Sequence, residues 1–201
     1  FPDNINSILK ESIDSGWVTT GPKTFEFEKR LSDYLKARHI LAVNSCTAAL
    51  HLALAAKGVG QGDKFIVPTY TFVSSVEVGE YLGAEPILID SDPDTFNLNL
   101  DEVERILSER KDSSIKAIIP VHFGGRPVDM LRLMELAKKD NLFVLEDAAH
   151  AFETVSNIGK VGYTNYAAAF SFYANKNITT GGEGGAVATN DKNLANRMRK
   201  L

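Results

Sequence analysis

Reactive side chains recur in this 201-residue sequence, each close to a short apolar run. Lys176 lies in "SFYANKNITTGGEGG", between an aromatic-rich run that includes Ser171 and a glycine-rich loop. An amine at a ligand cleft can lose its proton through partial burial and become a nucleophile. The plain alternative is a solvated loop lysine. In "LEDAAH", Asp147 is followed three residues later by His150. A sheltered carboxylate suits a cationic ring nitrogen, which it holds by a charge-assisted hydrogen bond. With Glu146 the two could instead ligate a metal, although no second His/Cys cluster completes a set. His150 alone could be a satisfied core histidine. "NSCTAAL" sets Asn44, Ser45, Cys46 and Thr47 at the start of a helical pattern. Free N–H groups and the helix dipole favour a phosphate there. The glycine spacing of a nucleotide loop is missing, so Ser45 or Thr47 could equally be a simple N-cap. "TYTF" offers Tyr70 and Phe72, rings that can stack on a flat ligand or bury themselves.

The elements that must position these groups follow an alternating rhythm. Amphipathic patterns predict helices over 3–14 and 23–37, the second introduced by the Gly-Pro of "TTGP". Strands are expected at 39–43, 64–68, 86–90, 115–121, 142–147, 167–173 and 185–189. Between and after them come helices at 47–58 (ending on Gly58), about 72–82, 101–110, 127–140 and from about 191. Short apolar strands separated by helices indicate an α/β fold: a mostly parallel sheet covered on both faces in three α/β/α layers. Ligands of such sheets bind outside the carboxyl ends of the strands. "NSCT", "TYTF", "DAAH" and "SFYANK" all follow strands at that edge.

Each signal alone has a bland reading, but the set describes a receptor for pyridoxal phosphate. The phosphate would sit on the helix start, the ring against Phe72, the pyridinium nitrogen on Asp147 and the aldehyde carbon on Lys176.

The stretches "SGWVTTGPKTFEFE", "AVNSCTAALHLAL", "VPTYTFVSS", "PVHFGGRPVDM", "LEDAAHAF" and "FSFYANKNITTGGEGG" closely resemble the DegT/DnrJ/EryC1/StrS family of sugar aminotransferases. They run from Ser15 to Gly185. The resemblance implies the large domain of fold-type I pyridoxal-phosphate enzymes (aspartate aminotransferase-like), working as a homodimer with active sites at the interface. It maps the cofactor-binding lysine to Lys176, the pyridinium partner to Asp147, and the residue near the ring's phenolic oxygen to His150. It also maps the stacking aromatic to Phe72 and the phosphate contacts to Cys46, Thr47 and Ser171. Cys46 stands where relatives often carry a smaller residue, which a backbone contact would tolerate. The implied activity moves an amino group from an amino acid, glutamate by expectation, to a nucleotide-linked keto-deoxy sugar for surface polysaccharide or a related glycoconjugate. Two alternatives stand beside it: a sugar dehydratase of the same family and a non-catalytic regulator that keeps the pocket. The dehydratases replace the lysine with His, which Lys176 disfavours. Family members are longer, with a small C-terminal domain and a phosphate contact supplied across the dimer. Residues 1–201 are therefore expected to be the cofactor-binding large domain of a longer protein.

Composition narrows the field further. A net charge of -4, with both signs interspersed, argues against a nucleic-acid or membrane-surface partner. No apolar run approaches the ~20 residues of a membrane span. The single Cys46 cannot form an internal disulfide, so a reducing cytoplasm is the expected compartment.

Overall fold

A computed structural model describes residues 3–110, 112–163 and 166–201. Seven strands form one sheet: β1 (His39–Val43), β2 (Lys64–Pro68), β3 (Glu85–Ile89), β4 (Ile115–Ile118), β5 (Phe143–Asp147), β8 (Ala167–Ser171) and β9 (Gly185–Thr189). A small hairpin, β6 (Val155–Ser156) with β7 (Gly159–Lys160), lies between β5 and β8 in the chain. The sheet order is β1-β9-β8-β5-β4-β2-β3. β9 is antiparallel to both its neighbours, and the other pairings are parallel. All strands but β9 therefore point the same way, and their carboxyl ends open on a single edge.

The helices are α1 (Ile5–Asp14), α2 (Pro22–Leu35), α3 (Cys46–Lys57), α4 (Ser74–Glu80), α5 (Leu100–Arg110), α6 (Met130–Lys139) and α7 (Lys192–Lys200). Strand alternation sorts the core onto two faces. Phe65, Val67, Leu145 and Val187 pack with α3, α4 and α7 on one face. On the other, Ile66 and Val144 meet α5 and α6, while Ile40, Ala168 and Phe170 meet α2. This is the expected three-layer arrangement, with strands too buried on both sides to show a polar alternation.

Several boundaries move for identifiable reasons. The expected strand 115–121 leaves the ladder after Ile118; Pro120 has no N–H to donate, and pairing resumes only as an isolated bridge from Val121 to Asp147. The helix expected from 127 starts at Met130, because the Asp129 side chain accepts from the Arg132 N–H and caps it there. α2 stops at Leu35, since Lys36 adopts a left-handed conformation (φ 60°). α4 starts at Ser74, which leaves Phe72 and Val73 outside the helix. α3 ends on the left-handed Gly58 (φ 88°), as the sequence suggests.

Candidate active site

At the shared carboxyl edge the strand ends enclose a cleft of about 480 Å³. Its lining includes Cys46, Thr47, Phe72, Asp147, His150, Ser171 and Lys176, so the seven residues that the resemblance maps to the cofactor all reach the same cavity. They come from four strand-to-helix or strand-to-loop junctions, those at the ends of β1, β2, β5 and β8.

The junction after β1 serves both as cap and as anion seat. The Ser45 hydroxyl accepts from the Ala48 N–H at 3.1 Å, so Ser45 is the N-cap of α3. The N–H groups of Cys46 and Thr47, in the first turn, have no intrahelical carbonyl to bond. The helix start is packed tightly against β9. A Cβ built on Gly185 would lie 2.3 Å from the Ser45 carbonyl carbon and 2.7 Å from the Cys46 nitrogen. Glycine at 185 is thus a steric requirement for placing that first turn.

Asp147 is 4% exposed and forms the floor. Its Oδ2 accepts from the Ser75 hydroxyl at 2.6 Å, and its Oδ1 from the Ala149 N–H at 3.1 Å. The Cys46 thiol approaches Oδ1 at 3.9 Å. Ser75 is in turn 2.7 Å from the Thr71 hydroxyl. Among the described residues, the hydrogen-bond partners of this carboxylate are all neutral. Burial, reinforced by the neighbouring Asp147 charge, pushes the Cys46 thiol well up, so it stays an S–H group rather than a reactive thiolate. The exposed His150 imidazole is pulled below its ordinary value by desolvation first and by the Lys176 charge second, with Asp147 opposing.

Lys176 is half-buried in the loop after β8. The loop's neck is closed by the Phe172 N–H donating to Gly184 and the Thr180 N–H donating to Phe172. Inside it, the Lys176 N–H donates to the Tyr173 carbonyl. Phe72 lines the cleft and is 74% exposed. Tyr70 does not line the cleft; it packs instead against Phe123 and Phe96.

Glu146 cannot join Asp147 and His150 around a metal. As the preceding strand residue it faces the opposite side of the sheet, where its Oε2 is 3.0 Å from His122 Nε2. The Val128 N–H donates to His122 Nδ1, which leaves the ring proton on Nε2 to be donated to Glu146. The sequence reasoning missed His122, Ser75 and Thr71. Ser75 and Thr71 act through Asp147, a contact made across 72 residues that no local pattern carries. His122 could have been sought from its place in "PVHFGG", directly after a strand.

The residues suit pyridoxal phosphate on structural grounds. A buried carboxylate with only neutral donors calls for a cationic partner, which a protonated ring nitrogen supplies. The open first turn of α3 suits a phosphate. Lys176 provides an amine in the same cavity, and Phe72 an aromatic face beside it.

The model of the DegT/DnrJ/EryC1/StrS aminotransferase family matches residues 2–201. Among curated proteins, the chain is 45% identical over 193 residues to the spore coat polysaccharide biosynthesis protein SpsC of Bacillus subtilis (96% of this chain, 48% of that protein). It is 44% identical over 199 residues to GDP-perosamine synthase of Caulobacter vibrioides (98% and 52%). Among solved structures, S. venezuelae DesV in complex with a ketimine intermediate superposes with a TM-score of 0.92 at 37% identity, covering 98% of this chain and 52% of DesV. The chain spans about half the length of the curated relatives it matches. A match running from residue 2 to residue 201, with the same fold behind it, places the chain in the DegT/DnrJ/EryC1/StrS aminotransferase family.

Proposed function

We propose that this chain is the cofactor-binding large domain of a pyridoxal-phosphate-dependent aminotransferase. Its substrates are an amino-acid donor, glutamate by preference, and a nucleotide-linked keto-deoxy sugar; its product serves a surface polysaccharide or related glycoconjugate. The working unit is a homodimer with its active sites at the interface. The observation that carries this reading is Asp147, a buried carboxylate whose hydrogen-bond partners among the described residues are all neutral, in one cleft with Lys176 and the α3 N-terminus.

In this reading the N–H groups of Cys46 and Thr47, with Ser171, would hold the phosphate, and Phe72 would cover one ring face. Asp147 would hold a proton on the ring nitrogen, while Ser75 and Ala149 keep its carboxylate oriented. Lys176 would hold the aldehyde carbon until an amino donor takes its place. When bound, pyridoxal phosphate supplies an electron sink for negative charge developing at the carbon beside the transferred nitrogen. Lys176 Nζ, once free, would take the proton from the donor α-carbon as general base and, as general acid, deliver it to the carbon it had held. Desolvation favours a neutral His150 beside it, which spares the site a second cation next to Lys176.

The substrate assignment draws support from SpsC and GDP-perosamine synthase, whose names place them in polysaccharide and nucleotide-sugar chemistry. The test is to load the full-length protein with pyridoxal phosphate, add glutamate, and then offer candidate ketones. Glutamate should bleach the visible band, and a nucleotide keto sugar should restore it. Restoration only by a free cyclitol ketone or simple keto acids would overturn the substrate assignment.

A further inference from the structure

Beside the cleft, away from the candidate cofactor residues, three aromatic rings cluster at the surface. Tyr70 and Phe123 lie with centroids 4.6 Å apart, and Phe96 is 5.8 Å from each. Tyr70 is 52% and Phe96 50% exposed, so the cluster is not a satellite of the core. Phe123 also lines the cleft, which makes the rings continuous with it. Gly124, the next residue, shares a second small cavity with Lys176 and His150.

The loop carrying Phe96 is built at a conformational cost. Phe96 has φ 60°, a left-handed conformation that a bulky residue rarely adopts and that Gly or Asn would fill more easily. Its backbone is held there by the Phe96 N–H to Asp92 carbonyl bond and by the Asp92 side chain, which accepts from Asp94 and Thr95. The buried Asn97 then ties this loop to the one bearing Phe123. Its amide donates to the Arg126 and Pro127 carbonyls and accepts from the Phe123 N–H. The chain thus uses a strained residue and a buried polar clasp to present rings to solvent. Arg126 lies in the same loop pair, and its guanidinium donates to the Asp94 carbonyl.

We propose that Tyr70, Phe96 and Phe123 form a stacking platform for the nucleobase of a nucleotide-linked substrate, with Arg126 meeting its diphosphate. Exposed aromatic faces bind bases by stacking, and a planar guanidinium suits phosphate oxygens. The inference rests on the nucleotide-sugar reading above and deepens it: the sugar end lies toward Lys176 and the base toward the rings.

The experiment titrates GDP, UDP and dTDP separately into full-length protein by calorimetry, with no donor or keto sugar present. At least one should bind. Phe96→Asn removes a ring while suiting the left-handed backbone, so it should leave the melting temperature unchanged or higher. It should nonetheless weaken the nucleotide about ten-fold, as should Tyr70→Leu. Arg126→Gln should weaken the diphosphate but not the free nucleoside. Absence of any nucleotide binding, or undiminished affinity in both ring variants, overturns the platform. A lower sedimentation mass in those variants with affinity intact would assign the rings to an interface between copies, and also overturns it. If amination of nucleotide sugars fails while ring-dependent nucleotide binding persists, the proposed reaction falls and the platform stands. Amination with an unchanged KM in the ring variants does the reverse.

Discussion

Asp147→Asn separates the charge of this residue from its shape. The buried side chain sits between a hydroxyl donor, Ser75, and a backbone donor, Ala149. Asparagine can place its carbonyl toward the Ala149 N–H and its amide toward Ser75. The Ser75 hydroxyl can then turn to donate to Thr71, 2.7 Å away. No buried polar atom need be orphaned, so the cost in stability is about 1 kcal/mol or less. For a chain of this size that is a melting shift of roughly 2–4 °C. On the proposed role of Asp147 the functional loss should be larger, because the variant would not pair with a protonated ring nitrogen in a sheltered site. Losing one charge-stabilising group of that kind costs about 2.7–4 kcal/mol, or roughly 100- to 1,000-fold in rate. The assay is kcat/KM for glutamate and a keto sugar with the full-length protein, alongside a thermal melt and the visible spectrum of bound cofactor. Near-parental turnover would refute the ring-nitrogen role. Activity falling only in step with the melting temperature would refute it too, since Asp147 would then act through the fold.

Other outcomes follow from the same geometry. Gly185→Ala forces a methyl into the Ser45–Cys46 peptide; overpacking against backbone costs about 1–3 kcal/mol and should weaken cofactor retention, measured by dialysis and a melt, whereas parental values for both would show that the α3 start yields freely. The folded chain favours neutral His150, mainly through partial desolvation and then through Lys176. The unfolded chain binds that proton more readily, so stability should fall as pH drops below about 6.5. His150→Gln should flatten that part of the decline in melts between pH 7.5 and 5.5; an unchanged slope would place its origin elsewhere.

Much of this was legible in the sequence because local chemistry was enough. Gly58 and the "NSCTAAL" start bound α3 by capping rules, and apolar runs between helices identified a sheet covered on both faces. The edge rule for such sheets then led from strand ends to one cleft. Relations across the chain were not legible. β9 slots between β1 and β8 against their direction, although nothing in "GAVAT" distinguishes it from a parallel strand. Ser75 reaches Asp147, and Glu28 accepts from both Ala42 and Arg199, only once the layers are assembled. Pro120 could have been read as the end of β4, because the missing donor is a property of the residue itself. Of the two rings in "TYTF", Phe72 lines the cleft as expected, while Tyr70 packs against Phe96 and Phe123, partners distant in the sequence.

Lys176 is the amine proposed to carry the cofactor. Full-length protein reconstituted with pyridoxal phosphate is treated with borohydride, which fixes the lysine–cofactor bond as a stable secondary amine, and the digest is mapped by mass spectrometry. The label should fall on Lys176, and a folded Lys176→Ala variant should carry no label and lose transamination. A label on Lys160 or Lys192, or an active Lys176→Ala protein, would contradict that role.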